Sequence, residues 1–392
     1  IHGNRRHYRS LGCTWLLHQA DITEGQAMAE QLNKFTRRVK TFYELIYNQL
    51  MPGNIGIDDF LFPVKDADAD SSNFALDSLV KEIHGVVFRK RGEQSVVRPY
   101  EPGVGNIYEV PRISEKTPID EKLRDAVIAG GEDTEALSSR QARLLAQIIT
   151  QHTVAYATTR WKLALDVMRT GKFSPYGLDG HDIGLEIDFN RDGTLDDLYD
   201  FTATGANINA ALKNLYTAYR ALNGAGDELC VIMGDDYAEA FETDDDVIEY
   251  RKANDSNLLI LSNLIPETFN RTQGLRLLSR YRVPGVVDPM YILMYKPQGR
   301  FVQYAGASAQ DFMPSDEMIM FSLNSTRYKV QRGVDVLGMD GRATRAVGDV
   351  VFDEYTDKDP IITYIRSQAR YAFIPAMVNH TARQTGIFIP SA

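Results

Sequence analysis

From Glu132 to Thr170 the chain contains neither proline nor glycine, and Gly130-Gly131 and Gly171 bracket the run. Apolar residues recur inside it at Leu137, Leu144, Leu145, Ile148, Ile149, Ala155, Tyr156, Leu163 and Val167, close to helical spacing. Glu132, Asp133 and Glu135 sit where the positive end of a helix dipole favours carboxylates, and Arg169 and Lys172 sit at the other end. Roughly 35 residues at about 1.5 Å rise make a rod of roughly 50 Å, against about 11–12 residues for an average helix. One compact core cannot cover such a rod. It needs a partner helix or sheet along its length, or neighbouring molecules. Leu144, Ile148 and Ile149 lie near its middle and are the expected core contacts.

The preceding segment has the opposite character. Val86–Gly92 and Ile107–Val110 read as short strands, separated by Pro99, Pro102, Gly103 and Gly105 and followed by Pro111 and Pro118. Arg89, Lys90, Arg91 and Arg98 charge it too densely for a buried hairpin. Two readings are open: a solvated surface loop, or an arm that leaves its own subunit and lies on another, since long loops in compact domains tend to carry function.

At 392 residues the chain predicts two or three domains, or one large discontinuous one. No apolar run approaches the roughly 18–20 residues that span a bilayer, and Gly12–Leu17 is too short for a signal-peptide core. No membrane partner and no export are expected. Cys13 and Cys230 form neither a disulfide framework nor a metal motif, which fits a reducing cytosolic setting. A net charge of −10 argues against sequence-specific nucleic-acid binding by the whole surface. Residues 1–50 nevertheless hold seven Lys/Arg against four acids, as a solvated helix face or a contact with an acidic surface or nucleic acid. The sequence opens at Ile1 rather than Met, and an ordered N-terminal arm is expected there.

Met28, Leu32, Phe35, Val39, Phe42, Ile46 and Leu50 mark an amphipathic helix stopped by Pro52-Gly53. Residues 55–64 and 74–84 give mixed strand and short-helix signals. Leu185–Asn190 alternates like a strand, with a turn at Arg191–Gly193 and a returning segment to Phe201. Ile208–Leu222 is an amphipathic helix, Leu229–Met233 a short buried strand, and Asp235-Asp236 the expected cap of the next helix. Strand-like runs follow at Leu258–Leu261, Met290–Tyr295, Met318–Leu323 and Ile361–Arg370. The class is α+β, with 207–310 a compact insertion into a second domain built around the long helix.

Two features imitate chemistry. Asp188–Asp196 resembles a calcium loop, with oxygen donors at positions 1, 3, 5 and 9 and Gly193 at 6. Position 12 is Tyr199, where such a loop needs a bidentate carboxylate, and a strand precedes it. A calcium-dependent binding module is the alternative this loop leaves open, beside a β-turn with solvated acids. His152 on the long helix has no Ser, Cys or carboxylate constellation around it in sequence, so it reads as a packed or surface residue. No zinc, nucleophile-elbow or phosphate-loop motif is present. No catalytic residue, metal or cofactor is expected.

Read in order, these pieces resemble the major capsid proteins of tailed phages, in the lambda-type branch known as the phage major capsid protein E family. The basic arm Val86–Glu115 carries Arg-Lys-Arg-Gly, Pro102-Gly103 and Glu109-Val110-Pro111, and the helix Glu135–Thr170 runs into Gly171-Lys172-Phe173. Ile187–Arg191, Val231–Phe241, Phe312–Met318 and the run Ser367–Asn379 around Pro375 complete the set, which spans roughly residues 30–385. Residues 1–27 have no counterpart in the pattern, and Thr243–Arg282 is longer than the pattern expects.

The resemblance implies the Hong Kong 97 capsid fold. Its parts would be an N-terminal arm and helix (1–50), a peripheral domain (51–85, 119–206 and 311–392) with a spine helix, an extended E-loop (86–118) and an axial domain (207–310). It implies a shell protein of a double-stranded DNA phage, assembled in the host cytoplasm into hexamers and pentamers of the virion. The implied partners are copies of itself, a cementing or decoration protein, portal and scaffold, and packaged DNA touched non-specifically. Arg89, Lys90, Arg91 and Arg98 would be inter-subunit contacts. Some capsids of this fold are cross-linked by a Lys–Asn isopeptide bond, for which Lys90 and Lys116 lie in the arm, although the lambda-type branch generally uses a cementing protein instead. A cellular nanocompartment shell of the same fold is a lesser alternative within the shell-building class, and the length and the lambda-like arm favour the phage.

Overall fold

The computed structural model describes residues 56–66, 73–78, 104–119, 139–176, 185–223, 228–252, 272–297, 300–302, 307–325, 327–331, 333–337, 343–346, 349–358 and 361–388. The expected helix over 28–50, the strands at 86–92 and 258–261, and the arm residues Arg89, Lys90, Arg91 and Arg98 lie outside them.

A short helix, Ile57–Leu61, leads into β1 (Val64–Asp66). β2 (Asn73–Ser78) and β3 (Val104–Glu109) pair antiparallel as a two-stranded ribbon, and β4 (Arg112–Ile119) follows. The long helix is described from Ser139 to Thr170, 32 residues. It stops where the sequence says it must. Gly171 has φ +69°, a left-handed conformation open to glycine at little cost, and its N–H closes the last turn on the Val167 carbonyl at 2.9 Å.

β5 (Lys172–Phe173) pairs with β6 (Ile187–Asp188), and β7 (Asp196–Asp200) follows. Next come the helix Ile208–Leu222, β8 (Leu229–Met233), the helix Asp235–Thr243, β9 (Leu275–Tyr281) and β10 (Met290–Tyr295). The C-terminal third is nearly all strand: β11 (Glu317–Ser322), β12 (Arg327–Gln331), β13 (Val334–Leu337), β14 (Ala343–Ala346), β15 (Val351–Lys358), β16 (Ile361–Pro375) and β17 (Thr381–Ile387).

Two sheets organise the core. The first is built on the 15-residue β16, whose N-terminal half lies between β15 and β4 and whose C-terminal half pairs with β12, which also takes β1 in parallel. The long helix packs on it, burying Tyr156, Trp161, Leu163, Ala164, Val167 and Met168 in one cluster with Phe62, Tyr371 and Phe373. The second sheet has the order β7-β17-β11-β8-β10-β9. Its central β8 is buried at every residue, as a continuous Leu-Cys-Val-Ile-Met run requires of a strand covered on both faces. The helix Ile208–Leu222 covers part of it through Ile208, Leu212, Leu215 and Tyr219. This sheet draws β7, β11 and β17 from either side of the 207–310 segment.

Two expectations need correction. The segment ending at Phe201 does not return on Leu185–Asn190: β6 pairs with β5, and β7 runs parallel to β17. The short Arg191–Gly193 turn is therefore a link between sheets rather than a hairpin tip. The helix after β8 is capped by Gly234, not by Asp235-Asp236, which form its first turn. A Cβ on Gly234 would lie 2.0 Å from the Pro314 carbonyl oxygen, so close packing selects glycine there.

Candidate assembly site

The groups that hold the long helix converge with β4 on β16. Its middle faces β4 and β16 through His152, which is buried. Thr117 Oγ1 of β4 lies 2.8 Å from Nε2, and Ser367 Oγ of β16 lies 2.7 Å from Nδ1. A neutral imidazole donates to one hydroxyl and accepts from the other. Burial lowers the His152 pKa, which favours that neutral form. One turn on, the Tyr156 hydroxyl donates to the Ser367 carbonyl at 2.8 Å, and burial pushes its pKa up. The histidine read as a packed or surface residue is thus a clasp of three segments. Sequence spacing could not reveal it, because Thr117 and Ser367 are 35 and 215 residues away.

The next turns carry charge inward. Arg160 is buried with its Nε 3.5 Å from Asp58 Oδ2, and the same oxygen accepts from Lys329 Nζ at 2.8 Å. Burial would raise the Asp58 pKa, but the two cations outweigh it and hold the carboxyl down to about 2. The triad joins the short helix, the long helix and β12. At the helix C-terminus Arg169 grips Glu317 of β11 with a fork, Nε to Oε2 at 2.7 Å and Nη2 to Oε1 at 2.8 Å. Burial opposes ionisation of Glu317, yet the Arg169 hydrogen bonds and charge keep its pKa lowered. A cation in the last turn also suits the negative end of the dipole.

β11 in turn locks the second sheet's helix. The Gly234 N–H donates to the Glu317 carbonyl at 2.9 Å, the Asp236 N–H to the Ser315 carbonyl at 3.0 Å, and Ser315 Oγ to Asp236 Oδ2 at 2.7 Å. The Phe312–Met318 segment therefore couples the two sheets, with the long helix as the strut between them.

Of the expected core residues, Ile149 is fully buried at 0 % exposure and Ile148 is half-buried. Leu144 lies in the helix, and its side chain is outside the described residues. Lys116 stands on β4 with its Nζ 4.7 Å from the Tyr364 ring centre. The Asp188–Asp196 loop sends its acids in different directions. Asp188 Oδ1 accepts from the Asn190 N–H at 2.8 Å and its Oδ2 faces Lys172 at 3.1 Å. Asp192 caps the turn by accepting from the Thr194 N–H at 2.9 Å, and Asp196 pairs with Arg191 and Arg383. Among the described residues no group of three or more His, Cys, Asp or Glu could hold a metal ion, and no helix is long and apolar enough to cross a membrane.

A family model, phage major capsid protein E, matches residues 57–370. Among solved structures, a prophage protein of E. coli CFT073 described as a capsid protein is 14 % identical, with 90 % of this chain and 99 % of that one covered at a TM-score of 0.54. That likeness establishes a shared fold. The capsid of Ralstonia phage GP4 is 10 % identical over 84 % of this chain and 87 % of its own, with a TM-score of 0.46. The mature capsid of bacteriophage PhiM1 is 12 % identical over 86 % and 88 %, with a TM-score of 0.43. A comparison with curated protein sequences finds no match.

Proposed function

Because the chain belongs to the phage major capsid protein E family, it is a major capsid protein of the Hong Kong 97-like fold that self-assembles into the phage head, and we propose how its parts share that work. The observation that carries the reading is the family match over 57–370, which takes in the long helix and most strands of both sheets and stops within β16. In the proposal, the helix and the β16 sheet form the peripheral domain, the segment 207–310 with its sheet forms the axial domain, and 86–118 is the E-loop, whose last residues return to their own subunit as β4 of the β16 sheet. The clasp at His152, Thr117 and Ser367 fixes the root of that arm to a rigid strut. From there the arm reaches a neighbouring copy, with Arg89, Lys90, Arg91 and Arg98 facing acidic residues. The subunits close into hexamers and pentamers around double-stranded DNA in the host cytoplasm, with scaffold and portal during assembly and a decoration protein afterwards. The role is structural rather than catalytic. The phage reading is preferred to a nanocompartment because the matched family is a phage capsid family. It is preferred to a calcium module because the acids of the Asp188–Asp196 loop are engaged by Lys172, Arg191, Arg383 and local N–H groups.

Exposed ion pairs are individually worth about 0–1 kcal/mol, so repetition around a ring must supply the effect. Reversing all four arm charges to Glu should leave a folded, soluble subunit that no longer assembles. Normal assembly of that variant at both low and high salt would refute the arm's role.

A further inference from the structure

Across residues 144–159 the long helix carries no Asp, Glu, Lys or Arg. A helix that faces water normally carries charge on its outer side. Yet this stretch is open: Gln147 and Gln151 are exposed, Val154 is 41 % exposed and Thr158 is half-buried. With Trp161 these residues recur at steps of four and three, so they form one stripe along the helix. The neighbouring hydroxyls need no outside partner. Thr150, Thr158 and Thr159 donate to the Ala146, Val154 and Ala155 carbonyls of their own helix at 2.7, 2.9 and 2.8 Å. The stripe has the neutral, self-satisfied character of a face that another element covers.

Its C-terminal end shows which element that is. Trp161 is 6 % exposed, and Gly56 lies against it, a Cβ there falling 2.6 Å from the indole Nε1. That nitrogen is buried without a hydrogen-bond partner among the described residues. The short helix that follows Gly56 is tied to the long one through Asp58 and Arg160. The chain itself therefore delivers the residues before Gly56 to the stripe. Leu50 stands six residues earlier, a reach of at most about 20 Å. Met28, Leu32, Phe35, Val39, Phe42, Ile46 and Leu50 repeat the same steps of four and three, and Glu30, Lys34, Arg37, Arg38, Lys40 and Glu44 all fall off that seam. As a helix, residues 28–50 span about 33 Å, as does the long helix from Ser139 to Trp161. Each side supplies what the other lacks: the stripe is without charge, and the segment carries its charges away from its apolar seam.

We propose that residues 28–50 form a helix lying parallel to the long helix of the same subunit, with Val39, Phe42 and Ile46 over Gln147, Gln151 and Val154. A tether this short holds the segment at an effective concentration of about millimolar, which favours the subunit's own segment over that of a second copy.

Paired cysteines in the full chain, with Cys13→Ser, test the packing; Cys230 is fully buried and stays out of reach. Mild oxidation of the unassembled subunit should join Ile46→Cys to Val154→Cys, or Phe42→Cys to Gln151→Cys, within one chain, as read by non-reducing electrophoresis and peptide mapping. Glu44→Cys, on the opposite side of the segment, should not join Val154→Cys. Val154→Glu and Ile46→Lys should each lower the melting temperature by several degrees, and the double variant should fall by less than their sum. On a bare face Val154→Glu would be nearly silent. Absence of an intrachain disulfide in both pairs overturns the inference, as does a Val154→Glu subunit that melts like wild type. Disulfides found only between chains would assign the stripe to a second copy and overturn it too. All these readouts belong to the single subunit, so their failure leaves the capsid reading untouched.

Discussion

Replacing Asp58 by Asn probes the strut most sharply, because the change is nearly isosteric and removes only a charge. Asp58 is 0 % exposed, and its Oδ2 serves both Lys329 at 2.8 Å and Arg160 at 3.5 Å. Its pKa falls from 3.8 to about 2 in the folded chain. At about 1.36 kcal/mol per unit, that depression corresponds to about 2–3 kcal/mol of stability at neutral pH. The variant also removes the closer carboxylate from Lys329, which keeps Asp59 at 3.3 Å, and from Arg160, which keeps Asp349 at 3.9 Å. Removing one partner of a buried pair costs about 3–5 kcal/mol, so the expected loss is about 3–4 kcal/mol. The pH dependence has a definite sign. A carboxyl with a depressed folded pKa contributes fully above about 3.8 and loses that contribution as pH falls towards 2. Denaturant unfolding of the unassembled subunit, followed from pH 7 to pH 2.5, should therefore show a gap between wild type and Asp58→Asn that narrows on acidification. A gap below about 1 kcal/mol at pH 7, or one that does not change with pH, would refute the reasoning.

The His152 clasp predicts a second acid effect in another window. Its pKa is lowered by burial, so stability is present above the ordinary value of 6.5 and declines as pH falls below it; His152→Gln should lose this decline in thermal melts between pH 7.5 and 5.5, and an unchanged slope would count against the clasp. Ile149→Ala, at a fully buried site, should cost about 2–5 kcal/mol in subunit unfolding, and Ile148→Ala, half-buried, clearly less; the reverse order would mean that the helix face is misassigned.

Local signals carried the local elements. Asn207 caps the helix Ile208–Leu222 by accepting from the Ala210 N–H at 2.8 Å, and the strand Leu229–Met233 has the limits its apolar run suggested. Gly171 ended the long helix for a reason readable in one residue. The failures were non-local. β7 looked like the return of a hairpin because nearby strands usually pair, but its partner β17 begins at Thr381. The Asp235-Asp236 cap was misread because the Pro314 carbonyl, 80 residues on, decides that only glycine fits at 234. The frame around the long helix was equally hidden: Asp58 and Lys329 are separated by 271 residues, Arg169 and Glu317 by 148. An isolated Asp or Lys in sequence carries no sign that it will be buried and paired. Arg89, Lys90, Arg91 and Arg98 lie outside the described residues, and their density of charge is the ground on which an arm is proposed there.

That particle supplies the most direct measurement. Purified full-length protein, imaged by electron microscopy and reconstructed with icosahedral symmetry, should form closed shells of pentamers and hexamers. In the map, the part of the arm that carries Arg89, Lys90, Arg91 and Arg98 should lie on a neighbouring subunit, and the long helix should run straight through the peripheral domain. Folded protein that remains monomeric under every assembly condition, or shells in which those four residues lie on their own subunit, would contradict the account.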